Sequence, residues 1–342
     1  MTARQLLQDL TGIQAASGYE QRVHDYLRAR LAPLVDRMEA DGAGNLVAFR
    51  DGPSSHPLLL VAAHVDQVAL YVRRAIPGGY LRLRAPAIDL RCLPGLPVDV
   101  DGLPGVVGML PPHLRRRADR DKPLQEEDLY IDLGSAREED LPGAGTPAYF
   151  RVAPRTLGEG RFSAPGLDNR ASVAALCLAL EALQGHDLGV RLAFAFTASE
   201  EIGRAGAAYL GAGLAPDLAL AVDVTFAQQP EVAVRDSLME FGRGPAIGVG
   251  PNVAPPVEAL LQRTADAAGI PTQREPLPGD SGTDGWALQI GGLGIPTGVV
   301  SIPLTSMHSP AEVVAIADVE HTAALLSALA ASGFPREDLR WD

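Results

Sequence analysis

Two glutamates, Glu200 and Glu201, stand side by side three residues past the apolar run Leu192 to Thr197. Adjacent carboxylates repel each other unless a cation or a shared proton intervenes. On a loop the two side chains can point apart, so that one binds a metal while the other handles a proton. The competing reading is a solvated loop with two surface acids, the usual environment of glutamate. Three further apolar runs also end in an acid or a histidine. Leu58 to Ala63 runs into His64, Leu218 to Val222 into Asp223, and Thr297 to Ile302 is followed by His308. Asp168 falls at or near a helix start, where a capping carboxylate is common. A lone histidine beside a strand is more often structural than a ligand. In the extended His64-Val65-Asp66, however, both polar side chains lie on one face, so Asp66 can orient the His64 imidazole.

In an open α/β sheet ligands gather at the carboxyl ends of the strands. Two histidines and several carboxylates at that rim form an oxygen and nitrogen set suited to zinc, cobalt or manganese. So many carboxylates without cations would raise one another's pKa. Two divalent ions would neutralise them. A carboxylate can bridge ions about 3.5–4 Å apart, and a free carboxylate near a shared water would be the general base. Spacing alone does not assign these roles.

The elements that must position these groups read as α/β. Leu6, Leu7, Leu10 and Ile13 share a helical face over residues 4–14. Ser17-Gly18-Tyr19-Glu20 has the form of a capping box opening a helix to about Leu34. The near-continuous apolar strands are of the kind covered on both faces. Val173, Leu176, Cys177, Leu180 and Leu183 line a helix after Asp168, and residues 312–332 read as a closing helix. Gly282-Thr283-Asp284 either lines a side-chain pocket or is a turn before a helix. Between Val72 and Phe162 proline and glycine become dense and the strands short, the texture of a small all-β unit inserted into the α/β domain. The expected division is a catalytic domain at 1–71 and 163–342 and an insertion at 72–162. Within the insertion Arg115, Arg116, Arg117, Arg120 and Lys122, interleaved with Asp119 and Asp121, read as a mobile solvated loop, and nothing local makes His113 a ligand.

A chain of 342 residues suits one large domain with an insertion, or two domains. Its net charge of −13 and lack of a long basic stretch argue against nucleic acid or an anionic membrane as partner. No run of about 18 apolar residues occurs, and the N-terminus lacks the apolar core of a signal peptide. Cys92 and Cys177, far apart and among apolar neighbours, read as buried free thiols. A cytoplasmic enzyme is expected.

Taken in order, a series of motifs resembles one known family. The series is Ser17-Gly18-Tyr19-Glu20, Ala63-His64-Val65-Asp66, Gly105-Val106-Val107-Gly108 with Pro111-Pro112-His113-Leu114, Leu167-Asp168-Asn169-Arg170, Glu200-Glu201-Ile202-Gly203, Asp223-Val224-Thr225, Gly282-Thr283-Asp284 and His308-Ser309-Pro310. It is similar to the metal-dependent aminopeptidases that include glutamyl, deblocking and tetrahedral aminopeptidases, whose members also carry the names cellulase M and endoglucanase. The resemblance spans nearly the whole chain. It implies a doubly wound, mixed-sheet catalytic domain of the zinc-peptidase type with an inserted small all-β domain used in assembly, into dimers and commonly a tetrahedral dodecamer.

For the site the resemblance implies two ions per subunit. His64 and Asp223 complete one site, Glu201 and His308 the other, and Asp168 bridges them. Glu200 is then the base that activates the shared water, and Asp66 steadies His64. Peptides are the implied substrates, cleaved at the amino end. Asn169 stands where that family often has aspartate, Gln67 and Ala69 replace its usual glutamate and glycine, and Ser306 occupies a place often aromatic. Two other hydrolase readings remain: an N-acyl amino acid deacylase on the same di-metal site, and a glycoside hydrolase with two carboxylates, which leaves the histidines unexplained. A non-catalytic scaffold would show gaps in the ligand set, and none is found.

Overall fold

The structure, a computed structural model, describes residues 1–114, 117, 122–134, 140–230, 232 and 238–339. The chain opens with α1 (Ala3–Thr11), α2 (Gln21–Leu31), β1 (Arg37–Ala40), β2 (Leu46–Arg50) and β3 (Leu58–His64). Six strands follow: β4 (Leu70–Ile76), β5 (Tyr80–Arg84), β6 (Pro97–Val100), β7 (Leu103–Met109), β8 (Leu129–Asp132) and β9 (Pro147–Phe150). Then come β10 (Arg155–Leu157), β11 (Arg161–Ala164), α3 (Leu167–Ala182), β12 (Arg191–Thr197), α4 (Ala205–Gly213), β13 (Leu218–Phe226) and β14 (Ala246–Val249). The chain ends with α5 (Pro255–Ala268), β15 (Gln273–Pro276), α6 (Asp284–Gln289), β16 (Thr297–Thr305), β17 (Glu312–Ala315) and α7 (Ile316–Ser332).

The residues form two compact units, the second comprising Val68–Ala153 and His308–Ala311 and the first the remainder. The first unit is built on a mixed sheet in the order β1-β2-β12-β3-β13-β16-β17-β11-β10, with β14 joined to β16 and β15. Its centre, β12-β3-β13-β16, is parallel. These strands are buried along nearly their whole length because helices cover both faces. Side chains alternate between the faces. Val61 and Ala63 join a core with α1, α3 and α7, whereas Leu60 and Ala62 join one with α4 and α6. Register sets the strands beside one another: Thr197 and His64, the last residues of β12 and β3, pair, whereas Asp223 pairs with Ser301 inside β13 and β16, which run on to Phe226 and Thr305 beyond the expected ends at Val222 and Ile302.

The second unit is a closed barrel in the order β4-β5-β8-β7-β6-β9. Its own core includes Leu70, Val72, Leu81, Val98, Val107 and Ile131. Gly108 is required where β7 passes β8, because a Cβ there would lie 2.4 Å from the Tyr130 ring.

Several local expectations are corrected. The insertion ends at Ala153 instead of 162, because β11 pairs with β17 and β10 with β11 in the large sheet. Short strands look alike in sequence whichever sheet they join. Residues 312–315 are a strand, and the last helix starts at Ile316. Glu20 makes no side-chain cap for α2. Cys177 is buried but Cys92 only partly so, and both are free. Of the basic run, Arg115, Arg116 and Arg120, with Asp119 and Asp121, lie outside the described residues. Among the described residues no helix is long and apolar enough to cross a membrane.

Candidate metal centre and active site

His64 is the last residue of β3, and its side chain falls on the sheet face that α6 covers. Asp223 lies on the neighbouring strand β13. Asp168 comes to the same place from the start of α3, where its backbone leaves helical geometry, the Asp168–Asn169 peptide is cis, and its amide donates to Glu312 at 3.0 Å. The three converge. His64 Nε2 lies 3.2 Å from Asp168 Oδ1 and 3.7 Å from Asp223 Oδ1. All three residues are buried, and their ligand atoms fall within 4.8 Å of one another. Glu201, on the loop after β12, brings a carboxylate oxygen within 4.8 Å of Asp168. His308 belongs to the second unit, where its Nδ1 lies 3.1 Å from the Ala87 carbonyl.

The other ring nitrogen of His64, Nδ1, is 3.1 Å from the main-chain oxygen of Asp66 and 3.5 Å from its carboxylate. A carbonyl can only accept, so Nδ1 carries the proton and Nε2 is left to face the acids. The Asp66 carboxylate is used elsewhere. It accepts the Ser17 hydroxyl at 2.6 Å and the amides of Glu200 and Glu201 at 3.0 and 3.2 Å. Asp66 therefore holds the glutamate loop as well as His64.

The electrostatics are those of too many acids in too little water. Burial pushes the Glu200 carboxyl up to about 8 and Glu201 to about 10. The His64 charge opposes both shifts; Asp223 and Asp284 add to the first, Asp168 and Asp66 to the second. Asp223 is raised by burial and by Asp168, against the pull of His64. Burial opposes charge on His64, yet Asp168, Asp223 and Asp66 outweigh it and hold the imidazole well above its ordinary range. Asp66 is also desolvated, but His64, Ser17 and the Glu200 amide together hold it below the ordinary carboxylate value. A protonated histidine thus does part of the neutralising that a divalent ion would do, and the N/O donor set fits such an ion.

The sequence expectations missed four participants. Glu312, read as the start of a helix, holds the Asp168 amide. Ser17 and Glu20, read as a cap, hold Asp66 and Ser199. Asp284, read as pocket lining or a turn, is 2% exposed and takes the Thr197 hydroxyl at 2.5 Å, leaving Oδ1 buried without a hydrogen-bond partner. Burial pushes it up to about 7. Among the substituted positions, Asn169 is fully buried and its amide donates to the Val222 carbonyl at 2.9 Å.

The chain as a whole is similar to known proteins. The chain is 33% identical over 336 residues to the lysyl aminopeptidase of Pyrococcus furiosus, covering 95% of this chain and 96% of that one. Among solved structures it resembles an aminopeptidase of the archaeon Desulfurococcus kamchatkensis, with TM-score 0.90, 31% identity and coverage of 98% and 96% of the two chains. It also resembles the TET1 peptidase of Pyrococcus horikoshii, which can assemble into a tetrahedron or a large octahedral shell, with TM-score 0.85, 29% identity and coverage of 96% and 99%. The family profile for M42 glutamyl aminopeptidases matches residues 44–325, and the chain accordingly belongs to that family and is a metal-dependent aminopeptidase.

Proposed function

We propose that the strand ends hold two divalent ions, zinc, cobalt or manganese, and that the enzyme removes amino-terminal residues from peptides. His64 and Asp223 serve one ion, Glu201 and His308 the other, and Asp168 both. His308 enters on the sequence pattern, following β16 much as His64 ends β3. When bound, the ions would polarise the scissile carbonyl and acidify the attacking water. Glu200 takes a proton from that water and hands it to the leaving amine. Asp66 keeps the Glu200 backbone in place and fixes the His64 tautomer. The observation that carries this reading is the meeting of His64 Nε2 with Asp168 and Asp223 beside a glutamate pair on one adjoining loop.

The fold proposed is the doubly wound zinc-peptidase type with an inserted β domain. We assign that domain to self-association, through dimers into a dodecamer like the one seen for a solved TET1 structure. A cytoplasmic location goes with two free cysteines.

The deciding experiment is Glu200→Gln, assayed on a panel of aminoacyl chromogenic substrates before and after chelation, with metal content and mass by light scattering. General-base loss costs about 10²–10⁴-fold in rate, so the variant should load metal and be nearly inactive. A metal-loaded variant at full rate would refute the role of Glu200.

A further inference from the structure

We infer that Glu20, on the segment before α2, is a positioning residue for Glu200. The inference rests on the assignment of Glu200 as the base. Glu20 is 7% exposed and 179 positions away from Ser199 in the chain. Its Oε1 accepts the Gly18 amide at 2.8 Å and the Ser199 amide at 3.1 Å. The Ser199 hydroxyl lies 3.5 Å from the same oxygen. Ser199 has φ 57°, a left-handed conformation that a non-glycine residue adopts at a cost unless its surroundings impose it.

The next two residues are held in the same way. The amides of Glu200 and Glu201 both point at the Asp66 carboxylate. Three successive amides, those of Ser199, Glu200 and Glu201, are therefore pinned on two buried carboxylates. The same short segment supplies the link between them, because Ser17 donates to Asp66 while Glu20 receives Ser199. Asp66 fixes the loop from the end of β3, and Glu20 fixes the left-handed turn that precedes it. A buried carboxylate accepting backbone amides is a strong, directional restraint. With Glu20 gone, the Ser199 amide loses its acceptor and the turn relaxes toward ordinary backbone angles. The Glu200 carboxylate then leaves its place relative to the water it must deprotonate, and a misplacement of about 1 Å can cost 10²-fold in rate. Glu20 itself touches no substrate.

The test is a double-mutant cycle of Glu20→Ala and Glu200→Gln on an aminoacyl chromogenic substrate, with metal content and thermal midpoint recorded for each protein. Glu20→Ala should lower kcat by about 10–100-fold while KM stays within about twofold and both metals remain. Glu20→Gln keeps the size of the side chain and one acceptor oxygen, and should restore kcat to within about fivefold of wild type. In the Glu200→Gln background, Glu20→Ala should make no further difference. If Glu20→Ala does not fold, Glu20→Asp takes its place, since it keeps a buried acid but withdraws it from Ser199. The inference is overturned if kcat is unchanged, or if the Glu20 change slows the Glu200→Gln enzyme by the same factor as wild type. It is also overturned if the loss follows metal content or KM instead of kcat. A fast Glu200→Gln enzyme would instead discredit the base assignment, a result the single variant reports independently of Glu20.

Discussion

Asp66 Oδ1 accepts the backbone amide of Glu200 at 3.0 Å, nearer than the 3.5 Å that separates it from the His64 ring. The main-chain oxygen of Asp66, at 3.1 Å, is the closer partner of His64. The two jobs of Asp66 are therefore separable by mutation. In Asp66→Asn the main chain still holds His64, but one side-chain atom becomes a donor facing the amide of Glu200 or Glu201. The expected result is a fall of about 10–100-fold in kcat with metal still bound, because the glutamate loop shifts while His64, proposed to hold one ion, stays. Metal analysis beside steady-state kinetics reads both. Loss of metal in proportion to activity would show that the carboxylate mainly serves His64.

Asn169 has a donor's job that an unprotonated aspartate cannot do. Its Nδ2 gives a hydrogen bond to the Val222 carbonyl, one residue before Asp223, from a fully buried position. Asn169→Asp can reproduce that bond only by keeping its proton. The variant should match wild type at pH 5 to within about 1 kcal/mol and fall about 1–3 kcal/mol below it at pH 8, the cost of a buried carbonyl left without its donor. Denaturant midpoints at the two pH values measure this. An equal deficit at both would mean that the hydrogen bond to Val222 is not what Asn169 contributes.

The legible parts of this chain were those carried by long, uniform texture. β3, β13 and β16 are buried along nearly their whole length because both of their faces are covered, and the apolar runs within them singled out His64 and Asp223 as the polar residues that follow, although β13 continues past Asp223 to Phe226 and β16 past Ile302 to Thr305. The pairing of roles among the candidate ligands came from the resemblance, not from spacing. Glu20, Glu312 and Asp284 were illegible for a shared reason. Each is a buried acid whose partner is far along the chain: 144 positions for Glu312 with Asp168, 179 for Glu20 with Ser199, and 87 for Asp284 with Thr197. Nothing in the neighbouring residues distinguishes such an acid from a solvated one. The end of the insertion was misplaced because the β11–β17 pairing is likewise long-range.

Metal removal should leave a protein that weakens as pH rises. Asp284 is lifted from 3.8 to about 7 and Glu200 from 4.5 to about 8, each first by burial. Below the ordinary carboxyl range, folded and unfolded chains both hold these protons, and the stabilisation from keeping the acids neutral is complete. As pH rises past about 4.5, the unfolded chain releases its protons while the folded chain retains them, so the unfolded state binds fewer and stability falls until pH passes about 8. His64 acts in the same direction: its raised pKa stabilises below the ordinary imidazole value, and that contribution is lost as pH climbs through the folded value. Asp66 has the opposite sign, but its lowered pKa confines it to the acid side of this window. The thermal midpoint of chelator-treated protein should therefore drop between pH 5 and pH 8, and added divalent ion should raise it more at pH 8 than at pH 5, where protons compete for the same oxygens. A midpoint that climbs over this interval without metal, or a metal-induced gain independent of pH, would mean that the buried acids are not the cluster that the ions neutralise.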